Sequence, residues 1–185
     1  MQRHLRLLTV AGALAITAVP AVGQRAMGAK HEFGVDAAIM YQSLSLGGVS
    51  ANHILIGTPV DVRIGLVSKG KAKYMFEPRF VLAFDSKDPG SGQSAYTFTP
   101  DLNLLFAKDQ RKGMYWTVGA GIDLLHAAGA SATQIGFNGG IGQRKPYESG
   151  AIRMEAFLQY KLKNTSKGLP NELNIGARVG LSLWH

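Results

Sequence analysis

The chain has 185 residues, 23 Gly, 7 Pro and no Cys, with a formal net charge of +8. That length supports one domain, the lack of cysteine excludes a disulfide framework, and a mean hydropathy of +0.03 excludes a bundle of membrane helices. The basic residues punctuate apolar segments instead of lining one patch, and no nucleic-acid module or aromatic-basic face is visible, so nucleic acid is not expected as a partner.

The N-terminus has the three parts of a secretory signal. Arg3, His4 and Arg6 form a positive region, Leu7 to Val19 a short apolar core, and Ala21-Val22-Gly23 a small-residue cleavage site. The apolar run is too short to cross a bilayer as a helix, for which about 20 residues are needed. Residues 1–23 are therefore read as a signal peptide and 24–185 as a single domain.

From there the chain alternates with the period of a β-strand. Eight strands are predicted, over 32–43, 53–67, 73–85, 94–107, 113–126, 133–144, 150–163 and 172–185. One face is bulky and apolar throughout. It begins with Phe33, Val35, Ala37, Ile39 and Tyr41, continues through Ile54, Ile64 and Leu66, and includes Phe98, Leu102, Leu104 and Phe106 on the fourth strand. Trp116, Val118 and Ile122 follow, then Ile152, Leu158 and Tyr160, and finally Ile175, Val179 and Leu181.

The opposite face mixes acids, bases and glycines. Asp36, Asp61, Arg63, Glu77, Arg79, Asp101, Asn103, Asp123, Asn138, Arg153, Glu155, Lys161 and Arg178 fall on it, as do Gly65, Gly119, Gly121, Gly136, Gly140, Gly142, Gly176 and Gly180. Charges in a narrow interior must pair, so a luminal network is expected in which Arg63, Arg79, Arg153 and Arg178 bridge Asp61, Glu77, Asp101, Asp123 and Glu155. Glycines suit an eight-stranded barrel, whose interior is only just wide enough for side chains. A soluble barrel with the faces reversed would need a wet surface of Lys, Glu and Thr, which neither face supplies. Aromatic residues near strand ends (Tyr41, Tyr74, Phe84, Tyr96, Phe106, Tyr115, Trp116, Tyr160) fit girdles at two interfaces.

The connections alternate in character. Charged ones at 68–73, 108–113 and 144–148 interleave with Gly/Ser/Asn-rich ones at 43–52, 85–94, 127–132 and 163–171. With both termini on the periplasmic side, the first set lies inside, near anionic headgroups, and the second outside. Pro59, Pro78 and Pro100 fall within predicted strands, where bulges or shifted ends are expected.

On these features, the chain resembles the small outer-membrane β-barrel proteins of Gram-negative bacteria, the group of the OmpA transmembrane domain and OmpX-like proteins. The resemblance covers about residues 30–185. It rests on the signal peptide, the eight amphipathic strands, and a last strand with Ala177, Val179, Leu181 and Leu183 at alternate positions. His185 takes the terminal aromatic slot, with Trp184 one residue early. The resemblance implies an all-β, eight-stranded antiparallel up-and-down transmembrane barrel in the cell outer membrane. It also implies membrane lipids as surroundings and the barrel-assembly machinery as a partner in biogenesis. A monomer without cofactor is expected.

Signs of chemistry are sparse. His126 has Ser131 nearby, but the His-x-Ser pair of lipid A deacylases is absent, the sequence being His126-Ala127-Ala128. His31, His53 and His185 are scattered, so no metal site is expected. Gly139-Gly140-Ile141-Gly142 lacks the Lys-Ser/Thr of a phosphate loop. The expected role is structural or surface-interacting, with no enzyme activity. The alternative is a narrow porin-like channel for ions or small solutes, and behind it a lipid-modifying enzyme.

Overall fold

A computed structural model describes residues 31–56, 60–67, 74–85, 95–127 and 130–184. Nine strands account for almost all of them: β1 (His31–Leu46), β2 (Val49–Ile56), β3 (Val60–Val67), β4 (Tyr74–Asp85), β5 (Ala95–Ala107), β6 (Gly113–Ala127), β7 (Ala130–Tyr147), β8 (Gly150–Lys161) and β9 (Asn171–Trp184). β2 and β3 both pair with β1 and form two halves of one barrel strand. Each later strand pairs antiparallel with the next, and β9 returns to β1, so the sheet closes as an eight-stranded up-and-down barrel. The signal peptide read at 1–23 lies outside the described residues.

The registers fix the barrel's shape. The pairs Gly34↔Arg63, Arg63↔Arg79, Arg79↔Asp101, Asp101↔Gly121, Gly121↔Gly136, Gly136↔Lys161, Lys161↔Glu172 and Glu172↔Leu44 make one circuit of the wall. The circuit leaves β1 at residue 34 and returns at 44, a stagger of ten residues. With ~3.3 Å per residue and ~4.8 Å between strands, this gives a tilt of about 41° and a backbone radius of about 8 Å.

Period-2 alternation then decides what faces where. The inward positions of β1, β4, β8 and β9 carry Glu32, Asp36, Glu77, Arg79, Arg153, Glu155 and Arg178, all buried, while the outward positions expose Phe33, Phe80, Leu158 and Val179. The glycines on the inward face have a packing role that register alone reveals. A Cβ on Gly34 would collide with the Arg63 guanidinium, one on Gly119 with the Asn103 amide, on Gly121 with the Asp101 carboxylate, on Gly142 with the Tyr115 ring, and on Gly180 with the Asp36 carboxylate. Each of these glycines is the cross-strand partner of the residue it accommodates. A large polar side chain lies flat over a glycine on the next strand, which lets a narrow cylinder hold so many charges.

Several connections are tighter than the composition led us to expect. The segment 43–52 is not a loop: β1 and β2 run on to a two-residue turn at Gly47-Gly48, with φ of 60° and 86°. A hairpin turn with positive φ at both central residues selects glycine there. The segment 144–148 likewise belongs mostly to β7, which ends at Tyr147 and pairs with Gly150 across a short turn.

Of the strand prolines, Pro59 lies outside the described residues. Around it β1 advances from Asp36 to Ile39 while its partner runs from Asp61 back to Ile56, so the partner contains two extra residues. The shift is even, and the faces are preserved. Pro78 and Pro100 produce no bulge. The β3–β4 pairing lapses beside Pro78 and the β5–β6 pairing beside Pro100, with the same register on both sides of each lapse. A residue without an N–H drops its ladder bonds but need not shift the strands.

Candidate functional site: the barrel lumen

The lumen has a terminal end, where His31 and Trp184 lie, and a far end. At the terminal end four arginines and four carboxylates interlock. The Arg63 guanidinium clasps Asp36 through two nitrogens, one of them at 2.9 Å, and reaches Glu32 at 3.2 Å and Ser182 Oγ at 3.3 Å. Arg153 binds Glu77 at 2.5 Å and Glu155 at 3.3 Å, and approaches Glu32 at 3.5 Å. Arg144 reaches Glu32 at 2.7 Å, and Arg178 pairs with Glu155. Tyr115 sits within this cage: its hydroxyl donates to Glu155 at 2.8 Å and accepts from Arg153 at 3.2 Å, while the Arg153 and Arg144 guanidiniums lie 4.8 and 5.4 Å from its ring centroid. A charge this deeply buried is tolerable only when paired and hydrogen-bonded, and here each arginine has at least one carboxylate.

Apolar packing closes the same end. Met75, Leu105, Ala107 and Tyr115 form a small buried cluster. Arg144 donates to the backbone carbonyl of Gln110, and Arg111 lies 5.6 Å over the Trp184 ring. The connection between β5 and β6 is thus tied across the terminal opening.

The far end is built differently. Lys161 bridges Asp123 at 2.6 Å and Glu172 at 2.8 Å. Thr99 donates to Asp123 at 2.7 Å, and Gln42 and Asn174 donate to Glu172 at 2.9 and 2.7 Å. One cation against two acids leaves this group one negative charge in excess, whereas the terminal cluster balances four against four.

Arg63, Glu77, Arg153, Glu155 and Arg178 of the expected network therefore meet in one cluster. Asp123 lies apart from them, on Lys161 and not on an arginine. Arg79 and Asp101 are neighbours across β4 and β5, both buried and both engaged. Asp61 pairs by backbone with Asp36; its side chain is outside the described residues. Three further participants, Glu32, Arg144 and Glu172, were not singled out from the sequence. Arg144 falls in a segment whose composition reads as a charged turn, yet it shares parity with Gly140 and Gly142, and extending the alternation by one strand repeat places it inside.

On the outer surface near the far rim, His126 Nδ1 and Ser131 Oγ are 3.0 Å apart as a cross-strand pair, and Tyr96 stacks on the imidazole at 5.2 Å. Among the described residues no cluster of His, Asp or Glu has the arrangement of a metal site.

No protein-family profile matches this chain, and no curated protein does. Solved structures do match its fold. Neisserial surface protein A (NspA) is 17% identical with a TM-score of 0.56, covering 86% of this chain and 100% of its own. Ail, the attachment invasion locus protein of Yersinia pestis, solved in complex with the heparin analogue sucrose octasulfate, is 11% identical with a TM-score of 0.51, covering 83% of this chain and 99% of its own. The chain has the fold of the small eight-stranded outer-membrane barrels.

Proposed function

We propose that this chain is an integral outer-membrane barrel with a structural or surface-interaction role, with the terminal end facing the periplasm and the far end outside. The observation that carries this reading is the outer belt. On β8 and just past its end it runs from Ile152 through Met154, Ala156, Leu158 and Tyr160 to Leu162, with no charge, and equivalent runs lie on the other described strands. Ten residues at ~3.3 Å, tilted by about 41°, span about 25 Å, the height of the lipid-facing band of such barrels. In water, so continuous an apolar surface would be an aggregation site. Tyr74, Phe106 and Trp116 near one edge and Tyr41, Tyr96 and Tyr160 near the other supply amphipathic rings for the two interfaces. The names of the two structural neighbours, a surface protein and an attachment protein, support surface interaction over transport.

The proposal includes membrane lipids as the surroundings, assembly by the barrel-assembly machinery, and a monomeric barrel without cofactor or catalysis. Its test is fractionation followed by gel mobility with and without boiling. Heat-dependent migration from the outer-membrane fraction is expected; a soluble, detergent-independent monomer would overturn the reading. Leu158→Arg should destabilise the inserted barrel by about 2–4 kcal/mol, as a charge at mid-bilayer does. The channel alternative is separated by conductance in planar bilayers. The interlocked terminal cluster predicts no sustained single-channel steps, and steps altered by Arg153→Ala would favour a pore instead.

A further inference from the structure

Beyond the apolar belt, the outward positions of the far rim differ from one side of the barrel to the other. On the β1–β2 hairpin they are Ser43, Ser45, Ser50 and Asn52, and residues 31–56 contain no lysine or arginine. On β5, β6 and β7 they are Tyr96, His126, Ser131 and Thr133. Tyr96, His126 and Ser131 are successive cross-strand partners, a row of two ~4.8 Å steps, about 10 Å long. The β8–β9 connection lies against the end of this row. Leu162 N donates to the Ile135 carbonyl at 2.8 Å, and the Asn164 amide to the Thr133 carbonyl at 2.9 Å. Lys163 is thereby carried to the edge of β7, and its backbone N–H is pinned by Asn171 Oδ1 at 2.9 Å. A single 3-10 turn, Thr165–Lys167, follows and ends on Gly168 at φ 69°, with Ser166 Oγ donating to Asn164 Oδ1 at 2.7 Å. Lys163 and Lys167 are both exposed.

The charge of this sector has one sign. Asp123 and Glu172, the acids at the far ends of β6 and β9, are turned into the lumen and held there by Lys161. What remains outside is two ammonium groups and an imidazole, with the hydroxyls of Ser131 and Thr133 beside them. Ammonium groups suit phosphate, and hydroxyls both donate to and accept from sugar hydroxyls. The position narrows the ligand further. Directly below on the same strands the outward residues are Leu124, Ile135 and Leu158, all exposed and apolar. The surface therefore passes within one residue step from apolar to cationic, which matches a molecule with acyl chains below and a phosphorylated sugar above. A soluble polyanion has no use for the lower part, and a zwitterionic headgroup would neutralise its own phosphate.

We propose that the outer rim formed by Tyr96, His126, Ser131, Thr133, Lys163 and Lys167 seats the headgroup of one phosphorylated glycolipid of the outer leaflet. The lysines and His126 face its phosphates, the hydroxyls its sugar, and the stacked Tyr96 and His126 rings the boundary with its acyl chains. This rests on the membrane-barrel reading above and deepens it, because it names a specific lipid class and one sector of the wall that holds it.

The test titrates the detergent-purified chain with bisphosphorylated lipid A, with the same lipid stripped of its phosphates, and with dioleoyl phosphatidylglycerol. EDTA is present so that no divalent ion bridges protein and lipid, occupancy is read by native mass spectrometry, and each variant is first checked for folding by heat-dependent mobility. Lipid A should bind one per barrel, about tenfold more tightly than either comparator. Lys163→Ala combined with Lys167→Ala should weaken it about 20-fold and His126→Ala about threefold, while Lys112→Ala on the terminal rim should leave it unchanged. A double variant that binds like the parent, or an equal loss in Lys112→Ala, would overturn the patch. Phosphatidylglycerol binding as tightly as lipid A would overturn the sugar lipid, and the dephosphorylated form doing so would overturn the phosphate contact. In those cases heat-dependent migration persists and the membrane barrel stands; its absence in the parent chain would overturn both.

Discussion

The two halves of the lumen share one wall, one radius and one strand tilt, yet they are filled in opposite ways. Around Arg153 every inward side chain is buried, acids and arginines balance, and large groups lie over glycines that leave no spare volume. Around Lys161 one cation faces two acids; Met40, Gln42, Gln159 and Lys161 itself are half-buried, while Thr99, Asp123, Gln134, Glu172 and Asn174 are buried. Strand number and stagger therefore set the bore, while the inward residues decide how it is filled. The distinction can be tested by substitutions that ought to be severe in one half and mild in the other.

The largest effect is expected from Arg153→Ala. Arg153 serves Glu77, Glu155 and Glu32 together, and its removal leaves buried carboxylates short of a partner. Breaking a dry ion pair from one side costs about 3–5 kcal/mol. The urea midpoint of the folded barrel in lipid should fall accordingly. A loss below about 1 kcal/mol would mean that the terminal half is as solvated as a surface salt bridge.

Next comes Gly142→Ala. Its new methyl would overlap the Tyr115 ring, which is pinned by the hydrogen bonds to Glu155 and Arg153, and would also press on the Met154 carbonyl. Overpacking of this kind costs about 1–3 kcal/mol. Lys161→Ala should cost less than Arg153→Ala, at the low end of about 3–5 kcal/mol, because Asp123 and Glu172 are buried but keep Thr99, Gln42 and Asn174 as donors. Its cost should also shrink as salt is raised, whereas that of Arg153→Ala should not. Parallel unfolding series at low and high ionic strength would reveal the difference.

These contrasts mark where the sequence stops being informative. Alternation made the two faces legible, because period 2 is a local property that any strand of ten residues displays. Which arginine meets which acid was not legible, because partners come from registers, and registers depend on turn lengths and on the two extra residues between Asp61 and Ile56. Asp123 illustrates this. Its parity put it inside, but only the β7–β8 and β8–β9 pairings bring Lys161 and Glu172 to it. The glycines were read as space-saving in general; that Gly121 underlies Asp101 and Gly180 underlies Asp36 needs the ladder. Glu32 and Arg144 were overlooked because they sit where predicted strands fade into charged ends, and propensity is weakest at such boundaries.

The smallest effect, and the one with the most informative sign, belongs to Gly136→Ala. Gly136 is an inward glycine of β7, like Gly142, but it lies in the far half. A Cβ there would meet the Lys161 Cγ at 3.2 Å and the Tyr160 carbonyl at 3.6 Å, so the contact to relieve is with a flexible side chain. Its φ is not among the positive ones, and alanine fits the backbone without strain. Replacing such a glycine restricts the unfolded chain and stabilises by about 0.4–1 kcal/mol, against which the small shift of Lys161 must be set. The net change should lie between zero and a slight gain, where Gly142→Ala gives a clear loss. Two identical substitutions six residues apart on one strand would then differ in sign, which uniform packing along the bore cannot produce. If both destabilise equally, the far half is as tightly filled as the terminal half.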